Sequence, residues 1–240
     1  MSSRDSDKWA MGVRKNGPMS VVVFDLDGTL TDTEADWDVV RRGLAAEDGR
    51  PWPEGATQAM MGMSTQEWAA YLHGTVGLLG SADDAARRTI DAMVAVYHRG
   101  LTVLPGAVEA VRRMHAHWTV GLASSSPRVL IDAAVAELGL ADVFSTTVST
   151  EELNGVGKPA PDVYLEVCRR LGADPTRSVA VEDAPNGIRS ARAAGMIVIA
   201  IPPHFHPPTP DVLALADAVI DDLAALDEAL VGGLISARNP

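Results

Sequence analysis

The stretch VVVFDLDGTL, residues 21–30, decides the fold. Its first half, residues 21–25, is an apolar run that ends in an acid and has no polar alternation, which predicts a strand buried on both faces. Side chains alternate along extended backbone, so Asp25 and Asp27 can point to the same side. Gly28 permits a sharp turn directly afterwards. The first predicted strand therefore presents two carboxylates where it ends.

Further apolar runs of the same kind recur along the chain, at 119–124, 179–183, 196–201 and 218–220. Segments with a helical spacing of apolar residues separate several of them, at about 106–117, 127–138, 161–171 and 185–194. A last helix is expected at about 222–231. Alternating strands and helices predict an α/β fold, with a parallel sheet covered by helices on both faces.

One long segment interrupts this alternation, because residues 32–103 contain no comparable strand run. Their pattern instead predicts helices at about 33–48, 54–60, 64–72 and 82–99. We therefore expect a helical cap over 32–103, inserted into a catalytic core formed by 21–31 and 104–235. Residues 1–20 are polar and mixed in charge, and we expect them to form a loose leader.

Composition narrows the classes of function. The formal net charge of the 240-residue chain is −12, which disfavours nucleic-acid backbones and anionic membranes as partners. No run approaches the ~20 apolar residues of a membrane span, and the leader lacks the apolar stretch of a secretory signal. The single cysteine, Cys168, excludes an intramolecular disulfide, and its neighbours predict a core position. We expect a cytoplasmic monomer or weak homodimer with a small-molecule partner.

The next two apolar runs that are predicted to be strands also end in polar residues. The second run ends in Ser124, and the third ends in Glu182 and Asp183. The carboxyl ends of parallel strands meet at one edge of a sheet, where ligands bind in open α/β folds. We therefore expect these side chains to converge with Asp25 and Asp27.

Lysine is scarce outside the leader. Lys8 and Lys15 lie in the leader, so Lys158 is the only lysine of the expected folded body. Its context, VGKPAPD, lacks the first glycine and the Ser or Thr of a nucleotide-binding P-loop. Lys158 is therefore a candidate for a single positive charge in the site, without a nucleotide cradle.

These residues together fit phosphoryl transfer. Asp25 would attack phosphorus, while Asp27 would protonate the leaving group and later take a proton from water. Ser124 would donate a hydrogen bond to a phosphate oxygen, Ser125 would add a backbone N–H, and Lys158 would supply positive charge. The position at the strand end favours Ser124 over its neighbours for the phosphate contact.

The acidic residues also predict a metal site. Asp25, Glu182 and Asp183 offer the hard oxygen ligands that Mg²⁺ prefers, although Glu182 could equally lie outside the first ring of ligands. With Asp27 protonated, the three carboxylates carry −3, while Mg²⁺ and Lys158 carry +3. Without the metal the site would repel a phosphate, so we expect an absolute requirement for Mg²⁺.

Four ordered segments carry a resemblance: DLDGTLTDTE at 25–34, LASSS at 122–126, GKPAPDVY at 157–164 and VEDAPNGIRSARAAG at 181–195. They resemble the four motifs of the haloacid dehalogenase superfamily of aspartyl-phosphate phosphohydrolases. The resemblance implies a Rossmann-like core with a mobile helical cap after the first strand. It also implies that Asp27 offers its backbone carbonyl to Mg²⁺. The position of the cap resembles the branch that contains phosphoglycolate phosphatases, sugar-phosphate phosphatases and β-phosphoglucomutase.

The resemblance also separates possible activities. Haloacid dehalogenases lack the second motif aspartate, present here as Asp27, and phosphonoacetaldehyde hydrolases use a cap lysine, which residues 31–104 do not contain. By the same resemblance, β-phosphoglucomutases place an arginine in a cap loop to hold a second phosphate. The similar stretch at 62–66 has no arginine, although Arg41 or Arg42 could substitute. We therefore expect a Mg²⁺-dependent phosphatase for a sugar phosphate, a polyol phosphate or a phosphoglycolate-like metabolite, acting through an aspartyl-phosphate. The alternatives are a β-phosphoglucomutase-like mutase and a non-catalytic metabolite-binding domain.

The predicted cap also carries large apolar side chains near that loop. Trp37, Met61, Met63 and Trp68 are expected to pack between cap helices, with a place in the wall of the site as the alternative.

Overall fold

The computed structural model describes residues 19–61, 63–153, 156–203 and 207–238. Of the predicted leader over 1–20, only Met19 and Ser20 lie among these residues, and Gly62 of the loop at 62–66 lies outside them. Six strands form one sheet: β1 (Val21–Phe24), β2 (Thr119–Ser124), β3 (Thr146–Ser149), β4 (Val179–Glu182), β5 (Ile197–Ala200) and β6 (Ala218–Val219). Their spatial order is β3-β2-β1-β4-β5-β6, and every pairing is parallel.

Helices cover both faces of this sheet. They are α5 (Ala107–His115), α6 (Arg128–Glu137), α7 (Asp162–Leu171), α8 (Pro185–Ala193), α9 (Pro210–Leu213) and α10 (Glu228–Arg238). Val22 and Phe24 of β1 face a core shared with α5, α6 and α10, whereas Val21 and Val23 face a core shared with α7, α8 and α9. The continuous apolar run of β1 is therefore explained by burial on both sides, and the α/β fold class is confirmed.

The segment between β1 and α5 is helical. It contains α1 (Glu34–Glu47), α2 (Ala56–Met60), α3 (Thr65–Tyr71), a π-helical turn at Leu72–Val76 and α4 (Ala82–Arg99). Most of its buried apolar residues form a separate hydrophobic cluster that includes Met60, Trp68 and Leu72, whereas Met93 and Tyr97 of α4 belong to the core shared with α5, α6 and α10. We refer to residues 34–99 as the helical insertion.

Two elements differ from the sequence analysis. Strand β3 was not predicted, because Thr146–Ser149 holds a single aliphatic residue and lies at the edge of the sheet, where half of the strand is only partly buried. The last helix was placed too early. Asp222 caps a short 3-10 turn at Leu223–Ala225, and α10 then begins at Glu228 and continues through Gly232 and Gly233 to Arg238.

The core position predicted for Cys168 is confirmed. Cys168 lies on the buried face of α7 and is a free cysteine. Among the helices of the described residues, none is both long enough and apolar enough to cross a membrane.

Candidate active site

The carboxyl edge of the sheet brings the predicted residues together. Strand β1 lies between β2 and β4, and Phe24 is in register with Leu122 and Val181. The residues that follow these three positions therefore share one edge. A single cavity at this edge is lined by every residue predicted for the site: Asp25, Asp27, Ser124, Ser125, Lys158, Glu182 and Asp183.

Lys158 lies at the centre of the charged groups. Its Nζ atom donates to Asp25 Oδ1 at 2.5 Å, to Glu182 Oε1 at 2.6 Å and to the carbonyl oxygen of Ala123 at 3.1 Å. Burial by itself would lower the pKa of Lys158, but the carboxylates of Asp25 and Glu182 outweigh it and raise that pKa. The ammonium group is therefore held in its charged form.

Asp25 is a nearly buried carboxylate directly after β1. Burial raises its pKa to about 8, against the opposing effect of the Lys158 ammonium and with a further increase from Glu182. A single lysine thus does not fully compensate the negative charge of this site. An additional cation would favour the ionised form of Asp25 that a nucleophile requires.

Asp183 lies beside Asp25 and is also buried. Thr29 Oγ1 donates to its Oδ1 atom at 3.1 Å, yet burial, followed by the charges of Glu182 and Asp25, raises the pKa of Asp183 well above its ordinary value. Oxygens of Asp25, Glu182 and Asp183 lie within 4.8 Å of one another. Three hard oxygen donors with excess negative charge fit Mg²⁺, because a divalent cation would offset their mutual repulsion.

Glu182 has hydrogen-bond donors at both of its oxygens. Oε1 accepts from Lys158 and, at 2.7 Å, from the hydroxyl of Tyr164, while Oε2 faces the backbone N–H groups of Asp183 and Ala184. These contacts favour a role for Glu182 in positioning Lys158. Sequence reasoning assigned no role to Tyr164, although it ends the GKPAPDVY segment.

Asp27 is held by three hydroxyl groups. Thr33 Oγ1 donates to its Oδ1 at 2.6 Å, Ser126 Oγ donates to its Oδ2 at 2.6 Å, and the Tyr97 hydroxyl lies 3.5 Å from Oδ1. Tyr97 is buried near the end of α4, 70 residues along the chain from Asp27. The sequence analysis assigned no role to Thr33, although it lies in the DLDGTLTDTE segment. It also missed Tyr97, because nothing in the local pattern links this residue to Asp27.

The serines after β2 have different contacts. Ser124 Oγ accepts from the backbone N–H of Ser126 at 2.9 Å, so its own hydrogen stays available to a ligand. The Ser125 hydroxyl is buried and has no hydrogen-bond partner among the described residues. Ser126 contacts Asp27, which the sequence analysis did not anticipate. The expected phosphate contact of Ser124 is compatible with this arrangement.

The helical insertion forms the opposite wall of the cavity. Trp37, Met61, Met63 and Trp68 all line it, together with Arg41. The Trp37 and Trp68 rings also pack edge to face, with their centroids 5.9 Å apart. The preferred expectation of packing between helices was therefore incomplete, because the same side chains face the cavity.

Gly28 provides a test of how tightly Asp183 is packed. Its φ is +91°, and a Cβ atom there would overlap the Asp183 carboxylate. We expect Gly28→Ala to cost about 1–2 kcal/mol for the backbone conformation and about 1–3 kcal/mol for overpacking. Gly49 has a φ of +66°, and a Cβ atom there would meet no other atom within 4 Å, so Gly49→Ala should carry only the backbone cost. The free energy of unfolding of both variants is measured by urea denaturation. An equal loss in the two variants would contradict close packing against Asp183.

The sequence of the chain is similar to that of a known family of hydrolases. Residues 19–195 match the family model of haloacid dehalogenase-like hydrolases. A probable pseudouridine-5'-phosphatase of Drosophila melanogaster is 32% identical over 186 residues, which cover 75% of this chain and 80% of the relative. A fructose-1-phosphate phosphatase of Escherichia coli is 31% identical over 179 residues, which cover 73% and 92% of the two chains.

The fold also matches a solved structure, a β-phosphoglucomutase from Clostridium difficile. The TM-score is 0.78 at 21% identity, and the match covers 91% of this chain and 98% of the other. This likeness concerns the fold, whereas the family model spans well over half of the sequence. The chain belongs to the haloacid dehalogenase-like hydrolases.

Proposed function

We propose that the chain is a phosphomonoesterase that hydrolyses a small phosphorylated metabolite through an aspartyl-phosphate on Asp25. The observation that carries the proposal is the buried Asp25–Lys158 pair, in one cavity with Asp27, Asp183 and Ser124. The relatives named for pseudouridine-5'-phosphate and fructose-1-phosphate support a sugar phosphate as the substrate class. A polyol phosphate or a phosphoglycolate-like compound has the same small size and single transferable group.

The proposed reaction has two halves. Asp25 attacks phosphorus in line, and the bond to the leaving oxygen breaks as Asp27 gives that oxygen its proton. Water then attacks the aspartyl-phosphate while Asp27 takes a proton from it, which releases inorganic phosphate and regenerates Asp25. The Thr33 and Ser126 hydroxyls hold the Asp27 carboxyl group throughout.

Charge compensation is divided between the chain and a metal. Asp25, Asp183 and the backbone carbonyl of Asp27 would hold Mg²⁺, with Glu182 as a neighbour that orients Lys158. When bound, Mg²⁺ would neutralise charge on the transferring phosphoryl group. Ser124 and the backbone N–H of Ser125 would donate to its oxygens.

The helical insertion is proposed to act as a cap. In this proposal residues 32–103 close over the core formed by 21–31 and 104–235, exclude bulk water and select the leaving group. The side chains of Trp37, Met61, Met63 and Trp68 support this, because they line the cavity from the insertion side. We expect the enzyme to work in the cytoplasm as a monomer or weak homodimer.

A screen for released phosphate tests the proposed function. Sugar, polyol, glycolate and nucleotide phosphates are incubated with the protein and Mg²⁺, and we expect phosphate release from a narrow group of small phosphomonoesters. Isomerised sugar phosphate without free phosphate would instead favour the mutase. Turnover of none of these compounds would favour a non-catalytic metabolite-binding domain.

A further inference from the structure

One cationic side chain in the cavity wall has no role in the steps described above. Arg41 on α1 is 8% exposed and lines the cavity from the side of the helical insertion. Its guanidinium carbon lies 4.6 Å from the centroid of the Trp37 ring and 5.3 Å from that of Trp68. The two rings thus hold a charged group at the cavity surface.

One hydrogen-bond donor of Arg41 is left without a partner among the described residues. Its Nε atom is buried and has no hydrogen-bond partner among the residues that the structure describes. Asp38, one turn earlier on the same helix, is already engaged, since it pairs with Arg42 at 2.6 Å and accepts from the Thr57 hydroxyl. A buried donor without a partner is costly, and ring stacking does not supply an acceptor.

Burial also penalises the charge of this group. It lowers the pKa of Arg41 to about 10, although the carboxylates of Asp38 and Asp27 act in the opposite direction. A hydroxyl group of a ligand would satisfy the orphaned donor but would not compensate the charge. An oxyanion would do both, because a guanidinium group binds carboxylates and phosphates through a fork of N–H donors.

We propose that Arg41 binds a second oxyanion of the substrate, at the end remote from the phosphoryl group that is transferred. This inference rests on the proposed function for the position of the reacting phosphate, and it narrows the substrate class to phosphomonoesters with a remote carboxylate or second phosphate. The Trp37 and Trp68 rings hold the guanidinium group in the cavity wall.

Matched pairs of substrates test this inference. One pair is 2-phosphoglycolate and 2-hydroxyethyl phosphate, and the other is fructose 1,6-bisphosphate and fructose 1-phosphate. For Arg41→Gln we expect kcat/KM to fall by about 10- to 100-fold on the charged member of at least one pair, the loss typical of a hydrogen bond to a charged group. The neutral member should change by less than about threefold. A selective loss in the first pair assigns a carboxylate, and one in the second pair assigns a phosphate.

Two further variants complete the design. Arg87→Gln makes the same charge change in the helical insertion, at a side chain that is 64% exposed and pairs with Asp84, and it should leave both pairs unchanged. Arg41→Lys keeps the charge but loses the fork, so it should lose less on the charged substrates. If Arg41→Gln fails to fold, Arg41→Lys can be used to compare the charged and neutral substrates instead. Equal losses on charged and neutral members, or no loss on any, would overturn the role of Arg41.

A binding measurement separates this inference from the proposed function. In an Asp25→Asn background, calorimetry gives the Kd of each compound without turnover, and Arg41→Gln should weaken the charged member of the same pair by about 10- to 100-fold. Selective weakening in a protein whose Asp25 form hydrolyses nothing would leave Arg41 as an anion-binding residue while the phosphatase proposal fails. If the Asp25 form hydrolyses a substrate but Arg41→Gln weakens the binding of charged and neutral members equally, the phosphatase proposal stands and the role of Arg41 fails.

Discussion

Asp25→Asn is expected to lower kcat on the best substrate on the order of 10⁶-fold, the scale of losing an enzyme's nucleophile. The asparagine amide is a poor nucleophile. The substitution also removes the carboxylate that lies 2.5 Å from the Lys158 ammonium. The variant should also show no covalent phosphoryl group when the reaction is quenched in acid and the protein mass is measured. The wild-type protein should show one under the same conditions.

A matched variant controls for folding. Asp142 is an exposed aspartate outside the cavity lining, so Asp142→Asn makes the same chemical change without touching the site. It should keep wild-type turnover, and both variants should unfold cooperatively on heating. Asp25→Asn with wild-type kcat would mean that another residue is the nucleophile.

The positions of the strand ends explain why several site residues could be predicted from the sequence. Asp25, Ser124 and Glu182 each lie at or directly after the end of an apolar run, and parallel pairing places these ends on one edge of the sheet. This argument needs only the direction of the strands. Lys158 was found differently, through its rarity and its place before two prolines.

The hydroxyl partners could not be predicted in the same way. Tyr97 reaches Asp27 from α4, and Tyr164 reaches Glu182 from α7, so each contact depends on how a helix packs against the sheet. Apolar periodicity predicts that such helices exist but not which polar side chain reaches back to the site. The cavity wall formed by Trp37 and Trp68 depends on the packing of the insertion in the same manner.

Removal of divalent metal is expected to abolish turnover, and added Mg²⁺ should restore it. The reason is the buried acidic group of Asp25, Glu182 and Asp183, which the Lys158 ammonium compensates only in part. Excess EDTA followed by dialysis into metal-free buffer gives the first state, and titration with Mg²⁺ gives the second. Appreciable phosphate release in excess chelator would contradict the metal requirement.

The same carboxylates give the metal effect a definite dependence on pH. Burial raises the pKa of Asp25 to about 8 and that of Asp183 well above its ordinary value of 3.8, so both groups favour the protonated form in the folded chain without metal. Their contribution to stability is then fully present below the unfolded-state pKa and is lost as the pH rises towards about 8.

Mg²⁺ should therefore raise the melting temperature more at about pH 8 than at about pH 5, because protons compete with the metal for these oxygens at the lower pH. The readout is a thermal melt with and without Mg²⁺ at both pH values, which does not depend on turnover. Asp183→Asn removes a proposed ligand and should reduce the Mg²⁺-dependent shift, whereas Asp142→Asn should retain it. A shift that is equal at both pH values, or larger at the lower one, would mean that Mg²⁺ binds away from these carboxylates.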